Sequence, residues 1–334
     1  MIFTVRWAHP IAFFFVLTLS LCLFIPPAFA EKKPGYPLLD DAPLPKSISL
    51  CGEPMPLKDP YVLEMLDREL TISVWDRAQV FMWLKRSGRY FPYIEKRLAE
   101  AGVPDDLKYL AVAESSLITH IRSSKGALGT WQFMAETGRN HGLRKDRTID
   151  ERHDFERATE AAITYLKSLK DEFGTWTLAM AAYNCGEARL RKEMKEQKER
   201  DYYSLNLPME TERYIFRIAT VKLIMENPNR YGYHLSPERV YRPIECDRES
   251  VSIRRPVHIA DLAHALGTNY KTLKELNPQI QGPYLPKGNY SLKVPAGLGS
   301  KVNTVLKKVA PAGSVPRAET SAGTYVVQPG DTLS

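Results

Sequence analysis

The chain has 334 residues, of which 44% are hydrophobic and 25% charged. That is too apolar for a disordered chain and too long for one small domain, so about two folded units with connecting segments are expected. The net charge of +7 is spread along the sequence, and a basic surface of this kind suits nucleic acid, anionic lipid or an acidic polymer without choosing among them.

At the N-terminus, Arg6 precedes an apolar run from Ile11 to Ile25, and Ala28-Phe29-Ala30 places small residues where a signal peptidase cuts. Residues 1–30 therefore read as a signal peptide. An uncleaved anchor would need roughly 17 to 20 apolar residues, and Glu31-Lys32-Lys33 fits processing better than a stop-transfer flank. Acylation of Cys22 is the rival route, disfavoured by the bulky Leu21 before it; it would bring association with the outer membrane. Loss of Arg6 lowers the net charge from +7 to +6 (7 − 1), and export removes nucleic acid from the expected partners. Cys51, Cys185 and Cys246 then remain, too few and too scattered to define a disulfide framework. The seven histidines form no His-x-x-x-His pair and the cysteines no Cys-x-x-Cys, so neither metal nor cofactor is expected.

Residues 31–61 are rich in proline and predict an extended lead-in. Helical spacing of apolar residues follows over 61–70, 74–87 and 90–100, with Gly102 as the stop. Pro104, Asp105 and Asp106 start the next helix, whose apolar stripe runs Leu107, Leu110, Ala111 and then meets Glu114. A Ser- and Gly-rich loop is expected over 123–129 and a helix over 130–138. Further helices are expected over 156–172, 175–183, 187–198 and 209–226. Residues 62–232 thus form an all-helical unit. The pattern then changes to strand, helix, helix, strand within 235–296, to a linker rich in Ala, Gly, Ser and Pro over 297–323, and to a single strand-like stretch over 324–334.

Glu114 is the residue that suggests chemistry. A carboxylate on a buried apolar face loses hydration, which raises its pKa and keeps it protonated near neutral pH, the state a general acid needs. The plainer alternative is a glutamate at the edge of the stripe that reaches water or pairs with Lys or Arg. Periodicity leaves both open.

The surrounding motifs favour the acid. Glu114-Ser115-Ser116, then Ser123, the run Gly126 to Met134, then Ala182-Tyr183-Asn184-Cys185-Gly186, and finally Leu207 to Thr211 with Tyr214 occur in order. Over roughly 80–232 the sequence resembles the lytic transglycosylases of the Slt type, in particular their membrane-bound D group. It departs from the usual motif at Cys185, a position where the family tolerates variation. The resemblance implies a mainly α protein: a lysozyme-like helical Slt catalytic domain followed by a small α+β module. It implies that Glu114 is the single catalytic acid/base, that Ser115 fixes local structure, and that Ser123, Gln132 and Met134 line a glycan cleft. Tyr183 and Asn184 would face the acid, and Tyr214 would complete the wall.

The stretches Asp261-Leu262-Ala263, Leu273 to Pro278 and Leu292 to Pro295 resemble a divergent LysM carbohydrate-binding module, and Tyr325 to Ser334 resembles the opening of another. The implied partner is peptidoglycan glycan in the periplasm of a Gram-negative bacterium, bound by a monomer whose helical unit carries the chemistry alone while the module anchors it. A goose-type lysozyme would share the fold but need further aspartates, and the nearest downstream, Asp146, Asp150 and Asp154, match no such motif. A non-catalytic wall-binding protein would have no use for a partly buried acid.

Overall fold

Four prolines, Pro43, Pro45, Pro54 and Pro56, keep residues 43–56 out of a helix. The computed structural model describes residues 42–309; the expected signal peptide lies outside them. Within the lead-in, β1 (Ser49–Leu50) pairs antiparallel with β2 (Glu53–Pro54) around Cys51 and Gly52. Ala42, Ile48, Leu50, Cys51 and Met55 are buried, so this part of the lead-in is a packed strap where its composition predicts a loose extension.

Two long helices follow. α1 (Pro60–Trp75) has proline at its first position and Asp59 as N-cap. α2 (Arg77–Ala101) is one helix where the apolar spacing predicts two. Pro92 withholds a single N–H, and Gly88 stays helical because a chain segment needs its bare Cα: a Cβ there would stand 2.2 Å from Val240 Cγ1. That segment is tied down by a hydrogen bond from Tyr241 N–H to Lys85 O at 2.8 Å.

The helical unit continues with α3 (Leu107–Ser115), α4 (Ala135–Asn140), α5 (Phe155–Phe173), α6 (Trp176–Cys185), α7 (Glu187–Gln197) and α8 (Met209–Glu226). α8 is its hub, packing against α1, α3 and α6. A buried carboxylate fixes one of these contacts, since Glu69 on α1 is 2% exposed and accepts from Arg213 Nε at 2.6 Å. The helix expected over 130–138 begins only at Ala135. Gly129 and Gln132 take positive φ, +80° and +48°, which breaks helical geometry and turns Leu128 back to bridge Phe133.

In the C-terminal part β3 (Cys246–Ile253) pairs antiparallel with β6 (Gly288–Pro295), from Cys246↔Pro295 to Ile253↔Gly288. Between them come β4 (Val257–His258), α9 (Ile259–Leu266), α10 (Tyr270–Leu276) and β5 (Tyr284–Leu285), with β4 paired to β5. The predicted strand, helix, helix, strand order is thus present. The predicted linker is not uniform: its first part forms α11 (Val302–Val309), whose Val302, Val305 and Leu306 enter the module's core beside Val251, Leu262, Leu292 and Val294. Their spacing of three and one is an amphipathic stripe, hidden in the sequence by the Ala, Gly, Ser and Pro around it. The rest of the linker and the stretch 324–334 lie outside the described residues. One residue of the helical part, Ile149, is buried in this second core.

The strap also caps a helix that carries motif residues. Glu53 accepts from Trp176 N–H at 2.6 Å, Thr177 N–H at 2.9 Å and the Thr177 hydroxyl at 2.6 Å, satisfying orphan donors at the start of α6. Glu53→Ala is expected to lower the unfolding free energy by about 1 to 2 kcal/mol, measured by chemical denaturation.

Candidate active site

Glu114 stands one residue before the end of α3, and the chain is bent sharply just after it. Ser116 and Leu117 adopt consecutive left-handed conformations, φ +54° and +60°, which non-glycine residues take only when held. Here α2 does the holding. Gln79 Nε2 and Trp83 Nε1 donate to Ser116 Oγ at 2.7 and 3.0 Å, and Arg86 Nη1 donates to Ser116 O at 3.1 Å. These three side chains recur at spacings of four and three, so they share one face of α2. Ser115, fully packed, donates to Ala111 O and lies 2.8 Å from Thr130 O, joining the acid's helix to the loop that follows.

The Glu114 side chain is half-buried, and loss of hydration lifts its pKa to about 7. Opposing that, Tyr214 on α8 donates its hydroxyl to Glu114 Oε1 and the Arg217 charge nearby favours the ionised form, while Glu210 works with desolvation. Desolvation wins because the hydrogen-bond partner is a neutral hydroxyl rather than a guanidinium. Tyr214 itself is 1% exposed, and burial together with the adjacent carboxyl drives its own pKa well up. It remains a donor at neutral pH.

Around this pair the motif residues take distinct places. Tyr183 on α6 donates to Trp131 O at 2.7 Å, and its phenol lies close enough to Glu114 for that carboxyl to raise its pKa, second to burial. Asn184 Oδ1 accepts from the Thr211 hydroxyl at 3.0 Å. Gln132 directs its amide nitrogen onto Gly129 O at 2.8 Å and Ile121 O at 3.3 Å, which supports its left-handed backbone. Ser123 Oγ accepts from Ala127 N–H at 3.0 Å and so closes the loop. Met134 stands 45% exposed at the N-cap of α4. The structure thus brings Glu114, Tyr214 and Tyr183 together, links Ser115 and Gln132 through the loop backbone, and gives Ser123 a turn-forming task.

Sequence reasoning missed Arg217 and gave Glu210, inside the Leu207 to Thr211 motif, no role of its own; the two flank Tyr214 on α8. Arg217, one turn from Tyr214, could have been found from that i,i+3 spacing. It also missed the α2 trio that secures Ser116. A separate apolar cavity of about 410 Å³ lies where α2 and the start of α5 meet the C-terminal module, lined by Tyr90, Tyr93, Phe155, Ile244 and Lys293 among others; Glu114 is not among its lining residues. The candidate site therefore rests on chemistry rather than on cavity size.

A helical domain with one desolvated glutamate at a strained helix end, followed by a small sheet-and-helix module, defines the class. Residues 92–206 match the transglycosylase SLT domain and residues 248–310 the LysM-like domain of lytic transglycosylase MltD. Over these two segments the chain is similar to the Slt-type lytic transglycosylases. It is 32% identical over 260 residues to membrane-bound lytic murein transglycosylase D of Escherichia coli, covering 75% of this chain and 57% of that relative. It therefore spans little more than half the length of the curated relative. Among solved structures, the 70 kDa soluble lytic transglycosylase of Escherichia coli is 18% identical, with a TM-score of 0.37, over 54% of this chain and 32% of that one. The lytic transglycosylase Slt of Pseudomonas aeruginosa is 21% identical, with a TM-score of 0.29, over 42% and 23% respectively.

The raised pKa carries a stability consequence. An acid that ionises near pH 4.5 when unfolded and near 7 when folded binds more protons in the folded state between those values, so stability falls as pH rises through that window and stays reduced above it. Glu114→Gln removes this dependence and is expected to be more stable than the parent at pH 8 by about 1 to 3 kcal/mol, with the difference fading towards pH 4.5. Denaturation curves at a series of pH values check it.

Proposed function

We propose that the protein is a peptidoglycan lytic transglycosylase, cleaving the β-1,4 bond between N-acetylmuramic acid and N-acetylglucosamine and leaving a 1,6-anhydromuramic acid end. The observation that carries this reading is the half-buried Glu114 with no second carboxyl held free beside it among the described residues. Glycosidases ordinarily place two carboxyl groups across the scissile bond. Here the three downstream aspartates are all committed elsewhere. Asp146 accepts from the backbone of Thr148 and Ile149, Asp150 from Arg152, and Asp154 caps α5 through Glu156 N–H and Arg157 N–H. The nearby Glu210 is largely exposed and paired with Lys125.

With one group available, the chemistry must reuse it. Protonated Glu114 gives its proton to the glycosidic oxygen as the C1–O bond breaks, and positive charge on C1 is met by the neighbouring 2-acetamido group of the muramoyl ring. The resulting carboxylate then accepts the proton of the muramoyl 6-hydroxyl as that oxygen bonds to C1. The enzyme is regenerated and no water is consumed. Tyr214 orients the carboxyl and stabilises it between the two steps, while Tyr183 and Asn184 border the reacting sugar and Gln132 and Met134 the glycan beside it. Ser115 and Ser123 act by shaping the loop. The LysM-like module would hold glycan strands.

The relative's membrane-bound name points to the cell envelope. Among the described residues no helix is long and apolar enough to cross a membrane. We place the mature chain in the periplasm after removal of residues 1–30.

Glu114→Gln keeps shape but can neither give nor take the proton, and its turnover of purified sacculi is expected to fall by at least about 10² to 10⁴. The parent's released muropeptides should carry 1,6-anhydromuramic acid by mass spectrometry; a reducing muramic end would identify a hydrolase instead. In the parent, kcat/KM should decline as pH rises past about 7, where the acid loses its proton. Tyr214→Phe deletes a hydrogen bond that favours the carboxylate, so its alkaline limb should move to higher pH while the maximal rate drops.

A further inference from the structure

The helical part and the C-terminal module meet through backbone as well as side chains. Ile149 bridges antiparallel to Ile280, Asp150 N–H donates to Gln279 O at 2.8 Å and Gln281 N–H to Thr148 O at 2.6 Å. Ile149 is 2% exposed among the module's own apolar residues, so the segment 148–150 behaves as an added strand of the module. Beside it, Lys293 on β6 lies 3.7 Å from Asp154 and 3.4 Å from Glu156, and Arg248 on β3 pairs with Glu156.

Asp150 and Arg152 carry this contact into the candidate cleft. Each is 5% exposed, and they form a two-pronged pair, Nε to Oδ1 at 2.9 Å and Nη2 to Oδ2 at 2.7 Å. The remaining nitrogen, Nη1, donates to Gly126 O at 3.1 Å and Phe133 O at 3.0 Å. Those two carbonyls bracket the stretch that holds Gln132 and the Thr130 carbonyl bonded to Ser115. Gly129, inside the stretch, presses so closely on the same residue that a Cβ would stand 2.0 Å from Arg152 O. A guanidinium tolerates burial only with its donors satisfied and its charge paired. Its fork therefore fixes where both carbonyls sit, and Asp150 fixes the fork.

We infer that Asp150 and Arg152 are positioning residues for the substrate loop, held in register by the module's pairing with residues 148–150, so that the module supports turnover of glycan it does not bind. This rests on Glu114 being the catalytic acid, and it departs from the division of labour in which the helical unit works alone and the module only anchors.

The test uses the full chain and two variants. Arg152→Gln removes the clamp, and Gln281→Pro, on the module side, removes the N–H that reaches Thr148. On a soluble N-acetylglucosaminyl-N-acetylmuramyl tetrasaccharide, both should lose about 10- to 100-fold in kcat with KM changed by less than about threefold, the pattern of misplaced groups rather than lost binding. Arg152→Lys keeps the charge without the fork and should recover little. Amide exchange supplies a readout independent of activity: Leu128, Gly129 and Gln132, which donate within the loop, should exchange about tenfold faster in both variants, with α8 unchanged. Parent-like kcat in Gln281→Pro, or unchanged loop exchange in it, overturns the inference even if Arg152→Gln fails to fold. A parent inactive on the tetrasaccharide would count against the proposed function, and the exchange rates would still decide the coupling.

Discussion

The structure depends on keeping one carboxyl out of water without giving it a cation to bind. A surface glutamate is ionised at neutral pH and useless as an acid; one paired tightly to arginine is more ionised still. Glu114 avoids both fates. It sits half-buried at the end of a short helix with a tyrosine hydroxyl as its hydrogen-bond partner, and the nearest guanidinium, Arg217, acts on it only through space. Arg213, the other arginine beside Tyr214, is drawn away to Glu69 on α1. Cations on α8 are thus placed so that the acid feels their field weakly.

Holding such a group in place is costly, and the costs are met by neighbours. Two consecutive left-handed residues after α3 each carry strain of order 1 to 3 kcal/mol, offset by three donors from one face of α2 and by burial of Leu117. Gln132 carries a third such strain inside the loop, supported by its own side chain. Strain held in the turn after the acid and in the loop that follows is what a preorganised site looks like, since a relaxed turn there would let the carboxyl swing into solvent. The strap at residues 42–55 caps, through Glu53, the start of α6, the helix that carries Tyr183.

Much of this was legible in the sequence for identifiable reasons. The helices 156–172, 187–198 and 209–226 were readable because glycine or proline breaks the helical pattern at an end of each, at Gly174, Gly186 and Pro208. Motif order singled out Glu114 and Tyr214, which the structure brings into hydrogen-bond contact. The break expected within α2 was misread because Gly88 serves a tertiary contact with residues 240–241, invisible to any local rule. The helix expected at 130 failed for the opposite reason: Trp131 and Phe133 look helical by composition, but Gly129 and Gln132 impose positive φ. Asp150 was weighed only as a hydrolase aspartate and Arg152 drew no reading, because their role comes from burial and from a module more than a hundred residues downstream. Local pattern fixes elements well and long-range pairing poorly.

Desolvation, rather than a second carboxylate, sets the state of Glu114. Carbon-13 NMR of the protein labelled at glutamate side-chain carboxyls, with the Glu114→Gln spectrum used to assign the missing signal, follows that one group directly. A midpoint near pH 7 is expected. A midpoint near the ordinary glutamate value of about 4.3 would mean the carboxyl is hydrated and ionised at neutral pH, and would contradict it.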